Sequence, residues 1–297
     1  MTKVPPLVDG LWRYGAWPGL MVGSLLVVGP LRALGVGPTN AVFLVTTGVG
    51  LLLLLAQVLA GRTRPGRDAI GTDLLHMGLS NAVVTAGFKA LFFGALYWLS
   101  ERIASPFGGA LWPADLPLPA QVGLAMLVGE LCFTTVHLLA HRVSWMWPWH
   151  AVHHSSPVLY VLSAGRSHPV NTLVSYAAKL FPAILLGAHG EVLVLLGLFT
   201  TVLGMLQHAD LGLRTGWLGW IFATPEVHRI HHSTDPVEGN SNFGGNLVLF
   251  DHLFGTFLPP VTRPAEVGLS DVQVPGGYWK QLAVPLRWRR LGSTPPG

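Results

Sequence analysis

The sequence predicts an all-α integral membrane protein, a helical bundle of four membrane spans with a short apolar hairpin. Hydrophobic residues make up 51% of the 297 residues, and Asp, Glu, Lys and Arg together only 11%. An average soluble domain has about 25% charged residues. So few charges cannot cover a water-facing surface of this size. The composition therefore argues against a soluble enzyme, and its many large apolar residues argue against a disordered chain.

Five stretches are apolar enough to predict membrane helices. The clearest has no charged residue over positions 41–60, which is about the length that an α-helix needs to cross roughly 30 Å of hydrocarbon. The fifth is interrupted between Gly187 and Gly190. Its halves, of about 15 residues each, predict a hairpin that spans a thin bilayer or only enters it. The five stretches are 17–34, 41–60, 79–99, 121–140 and 172–206.

The charged residues predict an orientation. Cationic residues follow the second and fourth spans and recur in the carboxy-terminal tail, whereas the connections 35–40 and 104–120 hold one charge, Asp115. By the positive-inside rule, the amino terminus, the 61–78 loop, the region after 141 and the tail are expected to be cytoplasmic. The expected location is a bacterial inner membrane. The cations are Arg62, Arg64, Arg67, Arg142, Lys280, Arg287, Arg289 and Arg290.

The third predicted span contains Lys89, and the fourth contains Glu130. A charge in hydrocarbon is costly, so Glu130 is expected to have a protein partner, and Lys89 to face protein or extend to the membrane surface. A lone Cys132 excludes an intrachain disulfide and a CxxC metal site. Nucleic-acid binding is not expected, because the 18 Lys and Arg residues are scattered and the net charge is only +4.

Histidines are the clue to chemistry, because the 13 histidines nearly equal the 14 carboxylates in number. Eight of them form an HxxxH motif over 137–141 and two HxxHH motifs over 150–154 and 228–232. Spacings of three and four place side chains on one face of a helix. Eight imidazoles exceed the three or four ligands that one zinc ion takes, and nitrogen donors suit iron, copper, zinc or nickel. The motifs therefore predict two metal ions with open positions.

The order and context of these motifs resemble the fatty acid hydroxylase/sterol desaturase superfamily of membrane di-iron enzymes. Residues 149–155 (WHAVHHS) are similar to its second histidine motif, and residues 224–233 (TPEVHRIHHS) resemble its third. The resemblance covers 121–260, which predicts a catalytic domain there, motif-free membrane helices over 1–120 and a cytoplasmic tail over 261–297. Further similarities lie at 166–169, 207–208, 242–244 and 251–256.

The resemblance implies a membrane non-haem di-iron oxygenase with a histidine-rich di-metal cap on the cytoplasmic side. Such an enzyme hydroxylates a C–H bond of a fatty acyl, sterol or related lipid that enters from the bilayer. It uses O2, and its electrons come from a separate cytochrome, ferredoxin or reductase. The implied ligands of two Fe ions are His137, His141, His150, His153, His154, His208, His228, His231 and His232, with His168 as a further candidate.

Three other residues are candidate site residues. Glu130 lies two helical turns before His137, and we expect it to accept a hydrogen bond from a ligand N–H or from an arginine. Asn242 and Asp251 are expected to brace loops over the site through bonds to the backbone, or to act directly in catalysis. For His168 the roles of metal ligand, substrate contact and helix cap are all open.

Three alternatives share these motifs. A desaturase on the same scaffold would remove two hydrogens where a hydroxylase adds one oxygen, and only the product mass separates the two. A zinc-dependent lipid hydrolase would need a general base, but no HExxH motif accompanies the histidines. A non-redox metal-binding or transport protein would carry metal-binding groups within several spans, whereas these motifs cluster at the predicted cytoplasmic ends.

Overall fold

A computed structural model of the protein describes residues 6–61, 65–88, 94–104, 111–260 and 266–291. All regular secondary structure in these ranges is helical, with two isolated β-bridges. The predicted all-α class is therefore confirmed. Arg62, Arg64 and Lys89, to which the sequence analysis gave roles, lie outside the described residues.

Two long helices begin the described chain. The first contains Pro18 and Pro30. The second has a proline in its first turn and ends at Gly61, whose left-handed backbone (φ 60°) directs its N–H to the carbonyl of Gln57, a common helix end. A π-helical turn, His76–Ser80, joins the third helix to the fourth. The helices are α1 (Pro6–Ala33), α2 (Pro38–Ala60), α3 (Arg67–Leu75), α4 (Asn81–Phe88) and α5 (Gly94–Ala104).

The rest of the described chain has three long helices and several short ones. A proline in the first turn begins five of them, where its missing N–H costs no hydrogen bond. The helices are α6 (Leu118–Arg142), α7 (Trp147–His154), α8 (Pro169–Leu185), α9 (Gly190–His208), α10 (Pro225–His231), α11 (Leu249–Phe254), α12 (Tyr278–Leu282) and α13 (Val284–Arg287).

Four of the described helices are long and apolar enough to cross a membrane: Gly10–Ala33, Pro38–Ala60, Leu118–Arg142 and Gly190–His208. Three correspond to expected spans. The fourth is α9, the second arm of the expected hairpin, with 19 residues, and α8 has 17. Both arms are longer than the sequence indicated, because α8 already begins at Pro169 and α9 continues through Gln207 and His208. The arms separate where predicted, at Gly187, whose φ is 89°.

The hairpin packs between the other long helices. Helix α8 lies along α6, and α9 packs against α1, α2 and α6. Gly129 makes the approach of α6 to α8 possible, since a Cβ there would lie 2.2 Å from the carbonyl oxygen of Lys179. Leu53 of α2 and Leu203 of α9 are fully buried in the same apolar cluster. This packing brings the ends of α6 and α9, where the histidines are found, close to the short helices α7 and α10.

Candidate metal centre

Nine of the ten candidate histidine ligands converge in two groups. Within each group, one ring nitrogen from every member lies within 4.8 Å of those of all the others. All nine are buried except His153, which is partly exposed. The first group is His137, His141, His150, His154 and His231, and the second group is His153, His208, His228 and His232.

The two HxxHH motifs each serve both groups. On α7, His150 and His154 point to the first group and His153 to the second. The motif at α10 shows the reverse: only its middle histidine, His231, is in the first group, and His228 and His232 are in the second. Successive residues of an α-helix lie about 100° apart around its axis, so adjacent histidines face different centres. Each short helix therefore lies between the two groups and contributes to both.

Backbone carbonyl groups fix the tautomers of three rings. The Nδ1–H groups of His137, His231 and His153 donate to the carbonyl oxygens of Phe243 (2.6 Å), Ser241 (2.8 Å) and Arg166 (2.9 Å), respectively. A carbonyl only accepts, so the proton is on Nδ1 and the lone pair is on Nε2. These three rings therefore present Nε2 to the group, as metal-binding histidines do when a hydrogen bond orients them.

Lone pairs face one another inside the first group. His150 directs Nδ1 to the side-chain oxygen of Asn171 at 3.1 Å, and its Nε2 lies 2.9 Å from Nε2 of His137. With both protons on Nδ1, neither Nε2 can donate to the other. The Nε2 atoms of His141 and His231 are buried and have no hydrogen-bond partner among the described residues. A cation at the centre would satisfy all of these nitrogens.

The second group shows the same convergence. Nε2 of His228 lies 3.1 Å from Nε2 of both His208 and His232. Nδ1 of His208 lies 3.0 Å from the hydroxyl of Ser163, which itself donates to the carbonyl of Tyr160 and so accepts from the ring. Both groups consist of imidazoles alone, since no Asp or Glu of the described chain belongs to either. The donor set fits two divalent transition-metal ions.

Burial keeps the ring nitrogens available to a metal. It lowers the pKa of His153 to about 4 and that of His231 to about 3. At pH 7 these rings are neutral, as a metal ligand must be. Burial also lowers the pKa of four further rings well below its usual value, and neighbouring histidines add to this effect. These rings are His150 and His154 of α7, His228 of α10 and the adjacent His232.

Two buried carboxylates hold the loop that supports the first group. Asp251 accepts from the backbone amides of Phe243 (2.7 Å) and Gly244 (2.8 Å), and Glu130 accepts from those of Gly245 (2.5 Å) and Asn246 (3.0 Å). The four consecutive amides of residues 243–246 are thus bound next to the carbonyls of Phe243 and Ser241, which orient His137 and His231. The contact expected for Glu130, with a ligand N–H or an arginine, is corrected: Glu130 acts on the loop backbone.

Asn242 braces the same loop. It has a positive φ of 56°, which asparagine tolerates better than most residues. Its side chain accepts from the amide of Leu258 (2.8 Å) and donates to the carbonyl of that residue (2.9 Å). Asp251 also accepts from the hydroxyl of Thr256. Of the two expected roles for Asn242 and Asp251, the structure shows the bracing contacts, and the direct catalytic role stays a prediction.

His168 lies outside both groups, so the expectation of a tenth ligand is corrected. Pro169 begins α8, and the first amides of a helix have no partner within it. Nδ1 of His168 accepts from the amide of Val170 at 3.1 Å, while Nε2 lies 3.3 Å from the carbonyl of Leu282. Both ring nitrogens are occupied, and His168 is a helix cap.

The comparisons with known proteins agree with this centre. Residues 122–256 match the family model described as fatty acid hydroxylase. This segment, a little under half of the chain, is similar to the fatty acid hydroxylase superfamily. The matched segment includes all nine histidines of the two groups.

Similar proteins of the superfamily carry lipid hydroxylase and monooxygenase names. "Ornithine lipid hydroxylase OlsE" from Rhizobium tropici is 41% identical over 176 residues, which are 59% of this chain and 53% of the relative. "Alkylglycerol monooxygenase" from Xenopus tropicalis is 32% identical over 218 residues, 70% of this chain and 46% of the relative. The chain thus spans about half the length of the curated relatives that it matches. No solved structure matches it significantly.

One buried ion pair lies partly outside the segment matched to the fatty acid hydroxylase family. Asp73 of α3 is fully buried, pairs with Nε of Arg166 at 2.5 Å and accepts from the hydroxyl of Tyr160. Arg166 in turn orients His153 through its carbonyl. Sequence reasoning missed Asp73 because it lies in the 61–78 segment, which was expected to be a cytoplasmic loop. The sequence signal that could have found it was Arg166, because a buried arginine needs an acidic partner.

Two cavities adjoin the two histidine groups from different sides. The α8 cavity, of about 260 Å³, lies among α6, α8 and α9 and is lined by histidines of both groups. The loop cavity, of about 380 Å³, contacts only the first group, through His141 and His154, and has Asp235 and Asp271 in its lining. The α8 cavity is the one from which a bound molecule could reach both metal positions.

Proposed function

We propose that the protein is a membrane non-haem di-iron oxygenase that hydroxylates a C–H bond of a lipid. The observation that carries the proposal is the pair of all-imidazole groups that line one cavity at the ends of helices long enough to cross a membrane. The names of the relatives, a lipid hydroxylase and a monooxygenase, support the same reaction class.

Iron is the metal that suits both the donor set and the reaction. The five rings of the first group and the four of the second would each hold one ion, with room left for further ligands. Imidazole nitrogen also suits zinc, but zinc has no redox chemistry. Two bound iron ions would supply the activation of O2, with electrons delivered by a separate cytochrome, ferredoxin or reductase.

The protein itself would hold the ligand rings in position, keep water from the metal ions and give the lipid access to them. Buried neutral rings are held by carbonyl and side-chain acceptors, so little reorganisation is needed when ions bind. The lipid would enter the α8 cavity from the bilayer and present one carbon to both metal positions. We place the centre on the cytoplasmic side of a bacterial inner membrane, because Arg142 and the cationic tail follow the histidine-bearing helix end.

Lipid analysis tests the proposal directly. Whole-cell lipids of strains with the intact gene are compared by mass with those of strains carrying His153→Ala or His231→Ala. A species heavier by one oxygen that disappears in both variants is the expected result. His252→Ala is the matched control, since His252 lies outside both groups and contacts the carbonyl of Trp220. A species lacking two hydrogens would instead indicate the desaturase alternative, and no change in lipid mass would contradict both.

A further inference from the structure

Helix α8 presents a polar stripe to the cavity beside the histidines. Asn171, Thr172, Ser175 and Lys179 all line the α8 cavity. Their spacing of about four residues places them along one face of the helix. Apolar side chains occupy the opposite, exposed face: Val170, Val174 and Phe181. The helix is therefore amphipathic with its polar side inward, which a cavity for plain hydrocarbon would not require.

Among the described residues that line this cavity, Lys179 is the only Lys, Arg, Asp or Glu. The histidines that share the lining are neutral ligand candidates. The ammonium nitrogen of Lys179 lies 4.1 Å from the centre of the Phe133 ring, over its face. Among the described residues, Lys179 has no hydrogen bond and no ion pair. Glu130 attracts it electrostatically, but the Glu130 oxygens already accept from backbone amides.

An ammonium group in this setting lacks the partner that such groups usually have. A charge removed from water is costly unless an opposite charge or hydrogen-bond acceptors compensate it. Two turns earlier on the same face of α8, the hydroxyl of Thr172 is buried and also has no hydrogen-bond partner in the described chain. Both groups lie in the wall of the same cavity, and both can donate to an oxygen atom. An oxygen-rich group of negative charge in the cavity would supply the acceptor that each of them lacks.

The size of the cavity limits what can bind there. At about 260 Å³ it is smaller than most sites for whole ligands, which measure roughly 300–1,000 Å³. One end of a lipid therefore fits better than an entire acyl chain. We propose that Lys179, assisted by Thr172, binds a carboxylate or phosphate group at the polar end of the lipid substrate. The role of this site in catalysis rests on the proposed function, whereas binding of the anionic group can be measured without turnover.

Binding of single-chain probes tests the assignment. The full-length, metal-loaded protein in a neutral detergent is titrated with dodecanoate, dodecyl phosphate, dodecanol and dodecyltrimethylammonium, and tryptophan fluorescence reports binding. One or both anions should bind more tightly than the neutral and cationic probes. The tighter anion identifies the carboxylate or the phosphate as the recognised group. Equal affinity for dodecanol and both anions would overturn the proposal.

Variants assign the binding to the two residues. Lys179→Met should weaken anion binding about tenfold or more, because it removes a charge-assisted hydrogen bond, and leave dodecanol binding unchanged. Lys179→Arg should retain most of the affinity, and Thr172→Val should lose severalfold. Lys280→Met, at an exposed lysine of α12, is the matched control. Wild-type affinity in Lys179→Met overturns the proposal, and so does wild-type affinity in Thr172→Val together with severe loss in Lys179→Arg.

Metal content and lipid oxidation, measured on the same preparations, separate the two proposals. A protein that contains iron and oxidises lipid but binds anions without Lys179 contradicts only the assignment of Lys179. A protein that binds anions through Lys179 but contains zinc and oxidises no lipid supports the assignment and contradicts the proposed function.

Discussion

The two histidine groups share α7 and α10 but depend on different supports. The first group is oriented by the carbonyls of Ser241 and Phe243, in a loop whose amides are bound by Glu130 and Asp251. In the second group, His153 and His208 are oriented by the 160–166 segment, which Asp73 ties to α3.

This difference shows that one motif can supply two centres while separate carboxylates hold them in place. The support of the first group lies entirely within the segment that matches the family model, residues 122–256. The support of the second group includes Asp73, outside that segment. The two metal positions should therefore respond separately to substitution of their supports, although loss of either ligand set should abolish the reaction.

Removal of a ligand should have the largest effect. His150→Ala takes a nitrogen from the first group, and His208→Ala takes one from the second. Each variant should lose most of one metal ion and all detectable product, because the proposed reaction needs both ions. Metal analysis and lipid mass measure the two effects, with His252→Ala as control. Full product formation by either variant would contradict the ligand assignment.

Loss of the Asp73 carboxylate charge should have the next largest effect. Asp73→Asn leaves Arg166 as a buried charge without its counter-ion, and breaking such a pair typically costs about 3–5 kcal/mol. We expect a lower thermal unfolding temperature and preferential loss of metal from the second group. Asp68→Asn, at an exposed carboxylate of the same helix, is the control. Equal loss from both groups would show that the supports are not separate.

Much of the centre could be predicted from the sequence because helical spacing decides it locally. The three motifs and the Gln207–His208 pair identified all nine histidines that converge, and the glycines at 187–190 located the hairpin. The division into two groups was not predictable, because it depends on how α7 and α10 pack. The role of His168 stayed open for a related reason: spacing cannot show whether a ring caps α8 or faces a metal.

Weakening the Glu130 support should have an intermediate effect. Glu130→Gln keeps one oxygen acceptor for the amides of Gly245 and Asn246 but loses the charge and the second acceptor. Substitutions that remove support from metal ligands typically reduce metal affinity or activity about 10- to 100-fold. We expect a loss in that range with metal retained at saturating iron, and with the first group more affected. Glu101→Gln, at an exposed glutamate of α5, should behave as wild type in the same assay.

The smallest effect is expected at Ser163. Ser163→Ala removes the hydroxyl that accepts from Nδ1 of His208 but leaves the ring and the carbonyl supports of the other histidines in place. Iron affinity of the second group should fall by severalfold, and that of the first group should not change. Stepwise removal of iron with a chelator measures both affinities, and an unchanged profile would remove Ser163 from the support of His208.

The metal content of the purified full-length protein is the most direct measurement. Expressed with iron and purified without oxygen, the protein should contain about two iron ions per chain, one for each histidine group, and Mössbauer spectra should show two iron sites with nitrogen ligands. A reproducible content of one zinc ion per chain, with no iron bound after reconstitution, would contradict the di-iron centre.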